Sequence, residues 1–568
     1  MKGEDYILHE IVLTLSRRAF LKAASLGAGG ACLPFSVAAA ADREVLYNGI
    51  TLPAPWPPHN RAFTDDPIPP PYLVDPPPLV PIDIGRQLFV DDFLIEETTL
   101  SRTFHRAEYH PANPILRPST AWERYDDAAQ RTHGRSNPAA MTFSDGVFYD
   151  PSDRTFKMWY MGGYIQNTCY ATSGDGIAWE RPTLDVVPGT NIVYQRLRDS
   201  TTVWLDGDAH DRSRRFKMAV FNGSHGSLLF SVSPDGIHWT PIGESGKTGD
   251  RSTMFYNPFR GVWVFSLRGA ELPGVPGRYR RYWESREFSS SSTWHRDNEP
   301  VLWTAADRLD PPRADYGVKP ELYNLDCVAY ESLMLGLFTM FRGERPDREK
   351  PNDLCVGFSR DGFHWSRPLR EPFIGVSPHP GDWNWANVQS TGGCCLVVGD
   401  QLYFYVSGRQ GVPGTDLPGI CSTGLATIRR DGFASLTDLE ANRPARVAAS
   451  GLRQVTTRTV RFSGRHLFVN ANLTGGILRA EVLDREGRVI EPYSLAKCNA
   501  ISGADLTRIA VTWAGRSTLE ELAGQPVRFR FSLSGGRLYS FWVSPSPQGA
   551  SRGYVGAGGP GFARSTDA

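Results

Sequence analysis

Lys plus Arg and Asp plus Glu number 61 each, so the chain carries no net charge to draw nucleic acid or an anionic membrane. The eight cysteines include no CxxC pair and no Cys/His cluster at zinc spacing, which argues against a zinc site. Beyond the N-terminus no apolar run reaches the ~18 residues of a membrane helix. The mature chain is therefore expected to bind no nucleic acid and to carry no transmembrane helix. Abundant instead are 15 Trp, 21 Tyr, 29 Phe, 56 Gly and 43 Pro. Aromatics mixed with turn formers suit many short strands better than long helices. A chain of 568 residues also exceeds one ordinary core, which implies two domains or one large repeat domain.

The N-terminus reads as an address. "SRRAFLK" (16–22) precedes "AASLGAGGACLPFSVAAAA", and together they resemble a bacterial twin-arginine export signal, residues 1–41, cleaved near Ala40 or Ala41. The export machinery is then the first partner, and the periplasm or the cell exterior the destination. Residues 42–84, with "PAPWPPHN" and "IPPPYLVDPPPLVP", read as a Pro-rich linker or strap. Cys169, Cys355 and Cys421 recur in strand-like segments, the behaviour of small buried hydrophobes rather than of ligands.

A phrase then returns three times: "SGDGIAW" at 173–179, "SPDGIHW" at 233–239 and "SRDGFHW" at 359–365. Asp-Gly supplies the positive φ of a tight turn, and Ser and Asp can bond nearby amides. Upstream of each lies a pair of apolar, strand-like runs, such as "GVFYDPSDRTFKMWYMGG". Asp175, Asp235, Glu287, Asp361 and Asp431 mark five such units at spacings of 60, 52, 74 and 70 residues. Each spacing fits one four-stranded blade with loops. The expected fold is all-β: a five-bladed β-propeller over 85–445, a β-sandwich over 446–545 read from period-two alternation such as "PVRFRFSL", and a flexible Gly/Ser/Pro-rich tail over 546–568. The repeated phrase is a blade-edge turn, its Trp packing between blades. His238 and His364 within it are structural.

Chemistry belongs at the start of the innermost strands, whose side chains converge on a central funnel. Asp145, Asp199 and Asp250 occupy that register in the first three units, and Glu321 and Asp326 flank it in the fourth. Carboxylates are not what a strand start prefers, and these five are the candidate catalytic residues. Arg251, Tyr323, Trp385 and Asn387 are the candidate sugar-binding residues. Paired carboxylates suit glycosidic bond cleavage, one protonating the leaving oxygen while another attacks or activates water. No cofactor is required; a structural calcium ion is compatible with so many carboxylates.

These features, with "HPANPILRP" (110–118) before the first unit, resemble the five-bladed glycoside hydrolases of families 32/68 and 43/62. The resemblance implies an exported hydrolase of oligo- or polysaccharides, furanosides such as fructan or arabinan, with Asp145 as nucleophile or base and Asp199 assisting. The Trp-Met-Asn-Asp-Pro-Asn-Gly signature of family 32 is absent, and Asp250 stands where a Glu acid is expected. Ser-x-Asp-Gly-x-x-Trp is likewise one residue shorter than the sialidase Asp box it resembles. Two other functions fit the same pattern: a non-catalytic carbohydrate-binding propeller, and a mannoside phosphorylase-like enzyme needing cations such as Arg251, Arg268 and Arg342 in the funnel.

Overall fold

A computed structural model describes residues 43–59, 64–124, 137–269, 277–438 and 453–568. Residues 43–568 form one structural unit; the expected export signal lies outside the described residues. Five antiparallel units follow one another. The first runs through Ala139–Asp150, Thr155–Gly162, Asn167–Ser173 and Ile192–Tyr194. The second comprises Thr201–Leu205, Phe216–Asn222, Ser227–Ser233 and Thr240–Glu244, and the third Thr253–Asn257, Val262–Gly269, Tyr279–Ser285 and Val301–Thr304. Glu321–Glu331, Leu333–Phe341 and Asn352–Ser359 make the fourth; Asn387–Ser390, Gln401–Arg409 and Cys421–Arg429 make the fifth. Cys421 and Ser422 pair in parallel with Ala139 and Ala140, so the last unit meets the first. Glu108–Tyr109, from ahead of the first unit, adds an edge strand to the fifth. A propeller closed by both ends of its chain leaves no open sheet edge at the seam.

The repeated phrase builds the same turn each time. Ser173, Ser233 and Ser359 accept the amide of the glycine three residues on at 2.8, 2.8 and 2.9 Å. Oδ1 of Asp175, Asp235 and Asp361 accepts the next two amides at 2.8–2.9 Å. Gly176, Gly236 and Gly362 sit at φ 78°, 79° and 79°. Each turn is stitched to the preceding unit. Tyr405 Oη donates to Gly176 O at 2.7 Å, Trp159 Nε1 to Gly236 O at 2.7 Å, and Trp303 Nε1 to Phe363 O at 2.8 Å. Trp179 and Trp365 pack edge-on or tilted against Tyr405 and Trp303 of those same neighbours. A methyl group on Gly236 would stand 2.5 Å from the Trp159 ring. Glycine is required there twice over, by backbone and by packing.

Three expectations need correcting. The fifth Asp-Gly turn does not return to its blade. Asp431 itself takes φ 62°, and Ala434–Thr437 crosses to pair with Ser101–Phe104 and Arg537–Ser544. The sandwich is not made by the C-terminal segment alone: Gln87–Leu88 and Ser101–Phe104 join one sheet and Ile95–Thr98 the other. Its strands still read as expected, Phe529, Phe531 and Leu533 alternating inward along Arg528–Ser534 onto Phe541, Leu478 and Ala480. The stretch after 545 is built in as well: Tyr554–Val555 pairs with Tyr330 and Glu331 of the propeller, and Val555 is fully buried. Glycine and serine there serve close backbone approach rather than disorder, Gly559 lying against Val397 O. The Pro-rich stretch behaves as a strap, with Val80–Pro81 paired to Val460–Arg461 and Tyr72 buried, its hydroxyl on His364 O at 3.1 Å.

Buried ion pairs join the two lobes. Asp431, fully buried, accepts from Arg86 Nη1 at 3.1 Å, Tyr330 Oη at 2.5 Å, Asn470 Nδ2 at 3.0 Å and Ser540 Oγ at 2.6 Å. Glu331 beside it takes the Arg86 amide at 3.0 Å and Arg430 Nη2 at 2.9 Å. Burial alone would push the Asp431 carboxyl up; Arg86 and Arg430 outweigh it and hold the group well below the usual range.

Candidate functional site

Side chains from the innermost strands of the first, fourth and fifth units meet at Asp326. One of its carboxylate oxygens accepts Ser144 Oγ of the first unit at 2.9 Å, Asn324 Nδ2 of its own strand at 2.9 Å and Ser390 Oγ of the fifth at 2.5 Å. Ser144 reaches it because the first strand bulges between Met141 and Gly146, with Ser144 at φ 63°. Thr253 of the third unit approaches Asn324 Oδ1 at 3.4 Å, and Thr391 donates to Thr142 at 2.7 Å. A belt of small hydroxyl residues thus ties the units together below the mouth.

The other candidates differ in what they touch. Asp145 does not stand free in the funnel: both oxygens are taken by the Arg198 guanidinium, and Oδ2 also accepts the Phe143 amide at 2.9 Å. Burial lifts its carboxyl above the ordinary range, with Arg198 pulling the other way. Asp250 is partly exposed and paired with Arg268. Glu321 accepts from Arg278 Nη1 at 2.7 Å and from its amide at 2.9 Å. Asp199 stands apart: its Oδ1 is buried and has no hydrogen-bond partner. A buried carboxylate oxygen without a donor costs free energy unless water or a ligand meets it.

Arg251 is one of the groups that feel the Asp199 charge. Its Cζ sits 3.9 Å from the Phe143 ring centroid and 5.8 Å from that of Tyr323, so the guanidinium is held between two aromatic faces. Burial lowers its pKa, opposed by Asp326, Tyr323 and Asp199 in turn. Asn387 is spent on structure, donating to Lys350 O at 2.8 Å and accepting Gln389 Nε2 at 2.9 Å. Trp385 is buried with its indole under the Arg348 guanidinium at 4.5 Å.

Several residues of the mouth escaped the sequence reading. Arg409 donates to Glu349 at 2.7 Å and lies 5.4 and 5.3 Å from the Phe143 and Tyr164 rings. Lys350 stands half-buried nearby, its pKa lowered by burial and then by Arg409. Arg278 stacks over Phe341 at 4.6 Å. Lys350 and Arg278 come from the loops joining second and third strands of their units, and Arg409 ends the second strand of the fifth, on the same side as the inner-strand starts. The charged run "GERPDREKPN" (343–352) is the signal that marks Glu349 and Lys350; Arg278 and Arg409 lie outside it.

The opposite mouth is different. A cavity of about 250 Å³ there is lined by Phe148, Trp204, Tyr256, Tyr554 and Phe562. Several of its charges are paired: Asp206 with Lys217 at 2.7 Å, Arg215 with Asp150 at 2.7 Å, and Asp208 with Ser565 Oγ at 2.5 Å. Among the described residues no group of three His, Cys, Asp or Glu side chains is placed to hold a metal ion. The seven described cysteines are buried free thiols.

No family model and no curated protein matches the sequence. Among solved structures, an N-acetylgalactosamine deacetylase from F. plautii, in complex with blood group B trisaccharide, is similar at 14% identity and TM-score 0.39, over 59% of this chain and 97% of that one. A thermostable family-43 glycoside hydrolase is similar at 12% identity and TM-score 0.36, covering 55% and 98%. A fructofuranosidase from Schwanniomyces occidentalis, complexed with fructose, gives 12% identity and TM-score 0.32, covering 72% and 98%.

Proposed function

We propose that the chain is an exported glycoside hydrolase that cleaves oligo- or polysaccharides by carboxylate catalysis at the funnel mouth. The observation that carries this reading is Asp199, whose buried carboxylate oxygen lacks a partner at a mouth shared with Asp326 and Glu321. A glycosidase needs one carboxyl group to handle the proton of the leaving oxygen and another to attack or activate water. Asp199 takes the proton-handling or attacking role, since its oxygen is not already spent. Asp326, where the first, fourth and fifth units meet, turns its charge toward a developing oxocarbenium ion, and Glu321 is the second carboxylate, held in place by Arg278. Tyr323 supplies an aromatic face for the sugar. Export rests on the "SRRAFLK" segment, and furanosides such as fructan and arabinan are the first substrates to try.

The test is a sugar-release screen of the mature chain, from Ala41, on fructans, arabinans, xylans and aryl furanosides, with Asp199→Asn alongside. Expected is release by the wild type that falls about 10²–10⁴-fold in a variant of unchanged circular dichroism. Undiminished release in the variant would move the chemistry to another carboxylate. No release from any substrate, with ligands on a glycan array, would establish the second reading, a non-catalytic sugar-binding propeller. That reading is favoured by one observation: Asp145, Asp250 and Glu321 are each already held by an arginine.

A further inference from the structure

Arg251 carries a demand that the protein does not meet. The side chain is 1% exposed; Nη1 donates to Phe143 O at 3.3 Å, while Nε and Nη2 have no partner. These two nitrogens form one edge of the planar guanidinium, the edge whose spacing matches the two oxygens of a carboxylate. The acids around it are not bonded to that edge. Asp145 is held by Arg198, and Asp326 takes its three donors on one oxygen.

Charge points the same way. Arg409 shares the Phe143 ring with Arg251, and Lys350 stands beside Arg409 with no ion pair among the described residues. Of these three cations, only Arg409 has a carboxylate, Glu349. Burial lowers the pKa of both Arg251 and Lys350, and Arg409 adds to the shift in each case. Around them are unmet acceptors of another kind: Asp199 Oδ1 and Gln389 Oε1 are buried without donors. An inorganic oxyanion offers such atoms little, whereas a sugar ring offers hydroxyl donors. A cavity of about 60 Å³ lined by Tyr164, Glu349 and Lys350 adjoins Arg409.

We infer that the funnel takes an acidic sugar, a uronate residue whose carboxylate is bound by the Nε/Nη2 edge of Arg251 while its hydroxyls donate to Asp199 and Gln389. This deepens the sugar-processing reading and rests on it, but it concerns recognition and is tested without cleavage. The mature chain is titrated by calorimetry and thermal shift with D-galacturonate and D-glucuronate. D-galactose and D-glucose serve as uncharged twins that differ only at C6, and phosphate and sulfate as inorganic arms, all at matched ionic strength.

Expected is that at least one uronate binds tenfold or more tightly than its twin. Arg251→Gln should abolish that preference, bringing the uronate down to the affinity of its neutral twin, and Arg251→Lys should restore part of it, since an ammonium lacks the fork. Where Arg251→Gln does not fold, Lys350→Ala at the half-buried rim takes its place, with the preference expected to fall three- to tenfold. Uronates no tighter than their twins, a preference that survives these variants, or binding of phosphate or sulfate alone would overturn the inference. Cleavage of neutral furanosides without uronate preference would sink this inference and leave the hydrolase reading standing. Uronate preference without cleavage of any glycan would do the reverse.

Discussion

The blade-edge turns and the funnel mouth both set polar residues at one register of successive units, and they use them in opposite ways. In the turns the same atoms make the same bonds in three copies, and Ser173, Ser233 and Ser359 are interchangeable. At the mouth the equivalent positions diverge: Asp145 is locked to Arg198, Asp250 is paired at the rim, and Asp199 and Arg251 keep buried atoms without partners. Repetition in which the Ser, Asp and backbone groups of the turn are paired is what folding alone selects, because each bond removes a desolvation cost, although the indole Nε1 of Trp179, Trp239 and Trp365 is buried without a partner in all three copies. Divergence with unmet polar atoms is a cost to stability that function explains. Recurrence in sequence therefore locates a register, and the bonding at that register tells which copies are free to act.

The largest effect that tests this contrast is Asp199→Asn, for which a 10²–10⁴-fold fall in turnover is expected with melting temperature unchanged or raised. A folded variant that melts well below the wild type would place Asp199 with the structural carboxylates. Next comes Asp431→Asn, which removes a fully buried charge from the lobe junction and leaves Arg86 short of a partner. The expected cost is about 3–5 kcal/mol by denaturant titration, with little direct effect on the funnel. Its acid dependence has a definite sign. Folding depresses this carboxyl, so the unfolded chain binds more protons below about pH 4, and its contribution is lost as pH falls through that window. The variant should be less pH-sensitive there; an unchanged acid transition would remove Asp431 from the account.

Gly236→Ala is expected to cost less, about 1–3 kcal/mol, from φ 79° and from the Trp159 ring 2.5 Å away. Gly189→Ala is the matched control, at φ 80° with open space around the added methyl group. If the two variants melt alike, the stitching of turn to neighbouring blade contributes nothing beyond backbone strain.

The propeller was legible because its signals are local. Ser-x-Asp-Gly-x-x-Trp specifies a turn within seven residues, and the runs "TFKMWYMG" and "FKMAVFN" alternate or persist over a strand's length. The same locality misled at the fifth copy, where "RRDGFASL" has the turn's letters but lacks its serine, and Asp431 is drawn into the Arg86 junction instead. The contribution of residues 87–104 to the sandwich could not be read either, since strand partners more than 300 residues apart leave no local mark. In the funnel, register offered Asp199 as a candidate, and Arg251 came only from its place beside Asp250. Register could not show that Arg198, one position before Asp199, turns back to neutralise Asp145, nor that Arg409 comes to rest on the same ring as Arg251.

The smallest expected effect sharpens the comparison most. Asp250 holds the same register as Asp199, next to Arg251, so the pattern of letters ranks the two alike. Their surroundings do not: Asp250 is 39% exposed and held by Arg268, itself 26% exposed, while Asp199 has a buried oxygen with nothing bonded to it. An ion pair at that exposure is worth about 0–1 kcal/mol. Asp250→Asn should therefore shift the unfolding midpoint little and lower turnover by less than tenfold, measured on whichever substrate the wild type cleaves. A hundredfold loss with KM unchanged would show that the Arg268 pair opens when substrate arrives. Register would then outrank resting-state pairing as the guide to catalysis, and the proton donor would belong to the third unit.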